Sequence, residues 1–152
     1  MRSILTTVGT SLLTNAKRHL NRSDIHDQHL TAYLTATPAE QASAETNSLS
    51  RLLQEEDRVI LLYSDTPEGK QCALALQRLY TSQGYSADVV VVAHLTYTEQ
   101  RFKMRGLRSL VATLIDLIRR ERRQGREVCI NATGGFKAEI AYTISVRIQI
   151  WL

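Results

Sequence analysis

The segment 58-RVILLYSDTPEGK-70 joins two kinds of pattern without a gap. Val59 to Tyr63 are apolar at consecutive positions rather than alternate ones, which is how a strand covered on both faces reads. The polarity then changes at Ser64. Asp65 or Thr66 can cap the free N–H groups of a helix, and Pro67 fits a first helical position. The segment predicts a buried parallel strand that feeds directly into a helix.

The same grammar repeats on either side of it. RSILTTV at 2–8, ADVVVVA at 87–93 and EVCIN at 127–131 are short and rich in β-branched or aliphatic residues, and they read as strands beside 58–63. Helical character lies between them, in 11-SLLTNAKRHL-20, in the region 39–57 ending SLSRLLQEED, in 67-PEGKQCALALQRLYTSQG-84 and in 104-MRGLRSLVATLIDLIRRERRQG-125. The Thr-, Ala-, Ser- and Glu-rich stretch 31–48 reads as a surface helix preceded by a loop, with Pro38 near its start. Alternating strand and helix predicts the α/β class, with a mainly parallel central sheet flanked by helices. Ligands of such sheets bind outside the carboxyl ends of the strands.

Composition narrows the possibilities. The chain of 152 residues is the length of one domain, and 43% hydrophobic residues with only 2 prolines exclude a disordered polymer. Cys72 and Cys129 lie far apart in apolar runs, as small hydrophobes rather than a disulfide framework, which fits a reducing cytosol. The N-terminal apolar stretch is too short and Thr-rich for a signal peptide, and no window of about 18 apolar residues exists. A soluble cytoplasmic protein is expected. The net charge of +4 and pI near 9.3 suit a polyanionic partner, although the excess is spread out. The cluster 119-RRERRQGR-126 reads as the solvated end of a helix, where cations complement the dipole.

Four strand-to-helix turns are the candidate sites. At 7-TVGTSLL-13, Gly9 permits a tight bend, and Thr10 and Ser11 stand at a helix N-terminus, either as an anion seat or as an ordinary cap. At 63-YSDTPEGK-70, capping accounts for most of the pattern, yet Ser64 and Asp65 also offer a hydroxyl and a carboxylate for ribose hydroxyls or an adenine amino group. The connection 94-HLTYTEQRFKMRG-106 mixes His94, Tyr97, Phe102 and the cations Arg101, Lys103 and Arg105. It reads either as a base-stacking and phosphate-pairing loop or as a solvated loop with Phe102 tucked inward. In 131-NATGGFK-137, Asn131 and Thr133 supply polar groups, Gly134 and Gly135 admit a close ligand, and Lys137 supplies a cation. Neither a Walker P-loop nor a G-x-G-x-x-G fingerprint is present. Asp24, His26, Asp27 and His29 lack metal-site spacing and read as a polar helix face, so no metal and no cofactor is expected. No G-x-S-x-G nucleophile elbow appears.

Taken in order, TVGTS, YSDTPEG and NATGGFKAE resemble the CARF domains, the CRISPR-associated Rossmann-like sensors of type III immunity, and most closely their ring-nuclease-like and APE-type subfamily. The likeness runs from about residue 3 to 144 and is most specific in NATGGFKAE. It implies a Rossmann-like three-layer fold over residues 1–152, and a homodimer whose two-fold axis passes through a pocket for a cyclic oligoadenylate, with cyclic tetra-adenylate favoured. Gly9, Thr10 and Ser11 would correspond to the phosphate-binding first turn, Ser64, Asp65 and Thr66 to the second, and Asn131 to Lys137, Phe136 included, to the last. Arg105 joins the expected ligand contacts from the third connection. Lys137 and Ser11 are the expected catalytic pair for metal-free scission by a ribose 2′-OH. A sensor that binds the ring without cutting it, and an α/β domain reading a mononucleotide, are the alternatives. Many family members carry a C-terminal HEPN ribonuclease or a DNA-binding winged helix, and neither is expected within these 152 residues. No membrane or DNA partner is expected.

Overall fold

The computed structural model describes residues 1–95 and 100–135, without the side chains of 100–104. Four strands, β1 (Arg2–Val8), β2 (Arg58–Ser64), β3 (Ser86–Val92) and β4 (Glu127–Asn131), form one sheet in the order β3-β2-β1-β4. Every pairing is parallel, with Ser3 opposite Arg58 and Val128, and Arg58 opposite Ser86. The α/β class with a parallel sheet is the architecture observed.

Position in the sheet explains the sequence of each strand. β1 has a neighbour on both sides and is buried from Ser3 to Val8. Its alternate residues serve opposite faces. Ile4 and Val8 join the core formed with α1 (Ser11–Leu20), α2 (Asp27–Ala36), α4 (Ala44–Leu52) and α5 (Pro67–Ser82), while Leu5 joins Ile60, Leu62 and Val92 beneath α6 (Gln100–Arg123). From α6, the stripe Leu110, Leu114 and Leu117 covers that second face. Complete burial of each such side chain is worth about 1.5–3 kcal/mol, so both faces contribute to holding the sheet. Cys72 and Cys129 belong to the first core, Cys72 fully and Cys129 at its margin.

Helix ends follow their local chemistry. Thr66 caps α5 by accepting the Gly69 N–H at 3.0 Å, with Pro67 at the first position. At the end of α6, Gly125 takes φ +75°, and the Arg126 N–H returns to the Glu121 carbonyl at 3.1 Å. That left-handed stop requires glycine's freedom.

Two expectations are corrected. The 31–48 stretch is not a surface helix with a loop before it: it contains parts of α2 and α4 and all of the short α3 (Ala39–Ala42), and Glu45, Thr46 and Leu49 are buried. Ser43 and Thr46 form a reciprocal cap, Thr46 N–H to Ser43 Oγ at 3.1 Å and Ser43 N–H to Thr46 Oγ1 at 2.9 Å, and this starts a new helix aimed at the sheet. That helix stops at Leu52, short of residue 57, and Glu56 adopts φ +67° in the turn before β2. The third connection is also shorter than read. Helix α6 begins at Gln100, so Arg101, Phe102, Lys103 and Arg105 lie on a helix rather than in a loop. The apolar spacing that ends at Leu117 continues far enough back to propagate it.

Candidate site at the carboxyl edge

The strand order places the turn after β1 at the centre of the carboxyl edge, between the turn after β2 and the turn after β4. Between β1 and β4 the chain order reverses direction across the sheet, the point at which α/β sheets open a crevice. Here the crevice is narrow. A Cβ on Gly9 would stand 3.1 Å from the Gly135 nitrogen, and one on Gly135 would stand 3.1 Å from the Gly9 Cα. The first and fourth turns meet backbone to backbone.

A residue absent from the sequence reading forms the floor. The Glu45 carboxylate, fully buried, accepts the Gly9 N–H at 2.8 Å through Oε1 and the Ser11 hydroxyl at 3.0 Å through Oε2. The Ser11 hydroxyl in turn accepts the Ala44 N–H at 3.1 Å. A Cβ on Gly134 would overlap the Thr7 carbonyl oxygen and stand 2.5 Å from Glu45 Oε1, so glycine is needed there to let the carboxylate in. Glu45 sits four residues before buried Leu49, on the apolar stripe of α4, and that spacing was the available sign that it points inward.

Above this floor lies a cleft of 250 Å³ bounded by Gly9–Ser11, Ala44–Glu45 and Thr133–Gly135. Thr10, at the N-cap of α1, is exposed, and its side chain makes no capping hydrogen bond. Asn131 is buried: its Nδ2 donates to Ser48 Oγ at 2.8 Å and, at 3.5 Å, to Thr6 Oγ1, while its Oδ1 accepts the exposed Thr133 hydroxyl at 2.8 Å. Asn131 therefore braces the fourth turn against α4 rather than facing the cleft.

The second turn is largely engaged in its own capping. Ser64 Oγ and Thr66 Oγ1 are hydrogen-bonded at 3.0 Å, and Asp65, exposed, accepts the His94 backbone N–H at 3.3 Å. That bond links the second and third turns. Gly106 packs closely on His94, since a Cβ there would lie 2.5 Å from the His94 carbonyl oxygen, and the adjacent Arg105 is exposed at the same edge. Gly9, Thr10, Ser11, Thr133, Gly134 and Gly135 are thus brought together, with Ser64, Asp65, Thr66 and Arg105 along the neighbouring stretch of rim. Phe136, Lys137 and Tyr97 lie outside the described residues.

Other candidates resolve locally. His29 Nδ1 accepts the His26 N–H at 3.0 Å at the start of α2, which accounts for that pair as a cap. Among the described residues, no three His, Cys, Asp or Glu side chains are grouped so as to hold a metal ion. Within 119–126, Arg120 and Arg126 turn toward Glu121 Oε1 and Oε2 at 3.0 and 3.8 Å, while Arg119, Arg122 and Arg123 are exposed. Among the described residues, no helix is long and apolar enough to cross a membrane.

Among the described residues, fold and edge together define a Rossmann-like α/β protein whose sheet pairings are all parallel, with a glycine-walled cleft at the strand-order switch point. The family described as CRISPR-associated protein (Cas_APE2256) matches residues 40–148, more than half of the chain, and the protein belongs to that family. Comparison with curated proteins gives no match.

Proposed function

We propose that the protein binds a cyclic oligoadenylate, with cyclic tetra-adenylate the favoured ring, at the carboxyl edge of its sheet and across the two-fold axis of a homodimer. In this reading it is a cytoplasmic ring nuclease of type III CRISPR immunity. The observation that carries it is the meeting of the Gly9 and Gly135 backbones, which merges the first and fourth turns into one cleft in a member of a CRISPR-associated family. A two-fold ring suits an isologous dimer, in which each subunit offers the same edge.

Scission follows from the ligand's own chemistry. A ribose 2′-OH attacks the adjacent phosphorus, the bond to the next nucleotide's 5′-oxygen breaks, and that oxygen takes up a proton as the 2′-OH loses its own. The products are linear, with a 2′,3′-cyclic phosphate and a 5′-OH. The protein's share is to hold the 2′-oxygen in line and to stabilise charge at phosphorus. Lys137 is assigned the phosphate charge and leaving oxygen. Ser11, whose hydroxyl donates to Glu45, is assigned positioning of the first turn.

That same bond favours a second reading, a sensor that binds the ring and does not cut it, because the hydroxyl expected to assist catalysis is engaged inside the fold. Incubation with cyclic tetra-adenylate in EDTA, with binding and products followed together, separates the two. Linear product from the wild type and loss of product in a folded Lys137→Ala dimer support the nuclease. Tight binding without turnover identifies the sensor. Binding of ATP but of no cyclic oligoadenylate would overturn both.

A further inference from the structure

A helix N-terminus beside a glycine turn is an anion seat, with free N–H groups and a favourable dipole. In this protein two donors of the seat after β1, the Gly9 N–H and the Ser11 hydroxyl, are already taken, while the first N–H groups of α1 carry no side-chain cap. Glu45 brings a carboxylate from α4 to the Gly9 N–H at 2.8 Å and the Ser11 hydroxyl at 3.0 Å, and no part of it reaches solvent. The arrangement is built from several sides: Ala44 N–H fixes the Ser11 oxygen, the Ser43–Thr46 cap fixes the start of α4, and the missing Cβ of Gly134 leaves the space that Glu45 Oε1 occupies.

We propose that Glu45 is a built-in anion that occupies the phosphate seat of the first turn and thereby sets the substrate class of the cleft. A terminal phosphate monoester carries close to two negative charges and would have to approach a buried carboxylate whose donors are already used. The like charge and the lost hydrogen bonds both oppose it. A phosphodiester carries one charge and can be met from the rim, where Thr10 and Thr133 are exposed. The cleft therefore discriminates against mononucleotides and inorganic phosphate in favour of internal diesters. The diester half of this inference rests on the proposed ring-binding function; the blocked seat does not.

Inorganic phosphate is the probe, with chloride at matched ionic strength as the control. In the wild type, phosphate is expected to leave the Gly9 amide resonance and the melting temperature where chloride leaves them. Glu45→Ala empties the seat, and phosphate or formate should then raise its melting temperature saturably and shift the Gly9 amide, as a ligand specific to the folded state does. A wild-type Gly9 amide that titrates with phosphate, or a folded Glu45→Ala protein indifferent to both anions, overturns the proposal. Should Glu45→Ala fail to fold, formate should restore folding where chloride does not, and failure of that rescue also overturns it. Cyclic tetra-adenylate added to the wild type tests the function separately: the Thr10 and Thr133 amides should move while Gly9 stays. Absence of any response to the ring sinks the proposed function and leaves the phosphate result to decide the role of Glu45.

Discussion

Asn131 Nδ2 donates to Ser48 Oγ at 2.8 Å, a bond between the last described strand and a helix 83 positions earlier. It joins the fourth turn to α4 beside Thr6 of the central strand. Asn131→Ala removes this donor and also the acceptor of the Thr133 hydroxyl. Loss of a buried hydrogen-bonding side chain costs about 1–3 kcal/mol, read as a lower urea midpoint at unchanged slope.

Gly134→Ala should be the more damaging change at this turn. The added methyl would overlap the Thr7 carbonyl oxygen, which belongs to a buried strand paired on both sides, and crowd Glu45. Overpacking of this kind costs about 1–3 kcal/mol or more, and backbone on one side places it at the upper end. Gly84→Ala is the control: nothing lies within 4 Å, and only its φ of +91° is strained. A Gly84 variant less stable than the Gly134 variant would contradict the packing described.

Two carboxylates predict acid sensitivity. Burial disfavours the charge of Asp57, but the Arg2 side chain and the Gln54 N–H outweigh it and hold the carboxyl below its usual range. Burial likewise opposes the charge of Glu121 and is outweighed by the Ser3 hydroxyl, at 2.8 Å, and by Arg120 and Arg58. With folded pKa values depressed, both contributions are complete above the unfolded values near 4 and are lost as pH falls through the folded ones. Unfolding free energy should be flat above about pH 5 and decline below roughly pH 4. The double variant Asp57→Asn, Glu121→Gln should be less stable at neutral pH and show a shallower acid decline.

Cys72 offers a chemical readout of folding. Burial raises its thiol to about 12, so thiolate is scarce and solvent absent. Iodoacetamide should leave Cys72 unmodified in the native protein while reacting with it in urea, and mass spectrometry would show the difference. Native-state labelling at Cys72 faster than global unfolding would contradict its place in the core.

Thr10→Val tests the rim of the cleft. Its side chain caps nothing, so the melting temperature should stay within about 2 °C while ring affinity falls several-fold by fluorescence anisotropy. Unchanged affinity would remove Thr10 from the contact surface.

RVILLY was legible because burial on both faces writes itself as an unbroken apolar run, whereas VVVV was legible only through its β-branched content: β3 is an edge strand of the described sheet, and Val91 is half exposed. The Thr66–Pro67 helix start was legible for an equally local reason. The floor of the cleft was not. Glu45 is a charged residue in a Thr- and Ser-rich stretch, and only donors 34 and 36 positions away make its burial tolerable. Glu121 escaped notice equally, hidden among arginines that two of its own contacts explain. Local pattern reports which face of an element is apolar, whereas a buried carboxylate is licensed by donors that only the tertiary fold supplies.

The pairing of β1 with β4 also has a consequence for synthesis. Thr6 and Asn131, which lie opposite each other in the register, are separated by 125 positions, while β1 meets β2 much earlier in the chain. A nascent chain that has released β1, β2 and α5 from the ribosome still carries the other edge of β1 bare, with its row of N–H and C=O groups unpaired. Such edges recruit any extended segment nearby. The interval before residues 127–131 emerge is therefore when the growing polypeptide is most exposed to misassociation, and ribosome-stalled lengths ending before β4 should depend most strongly on chaperones.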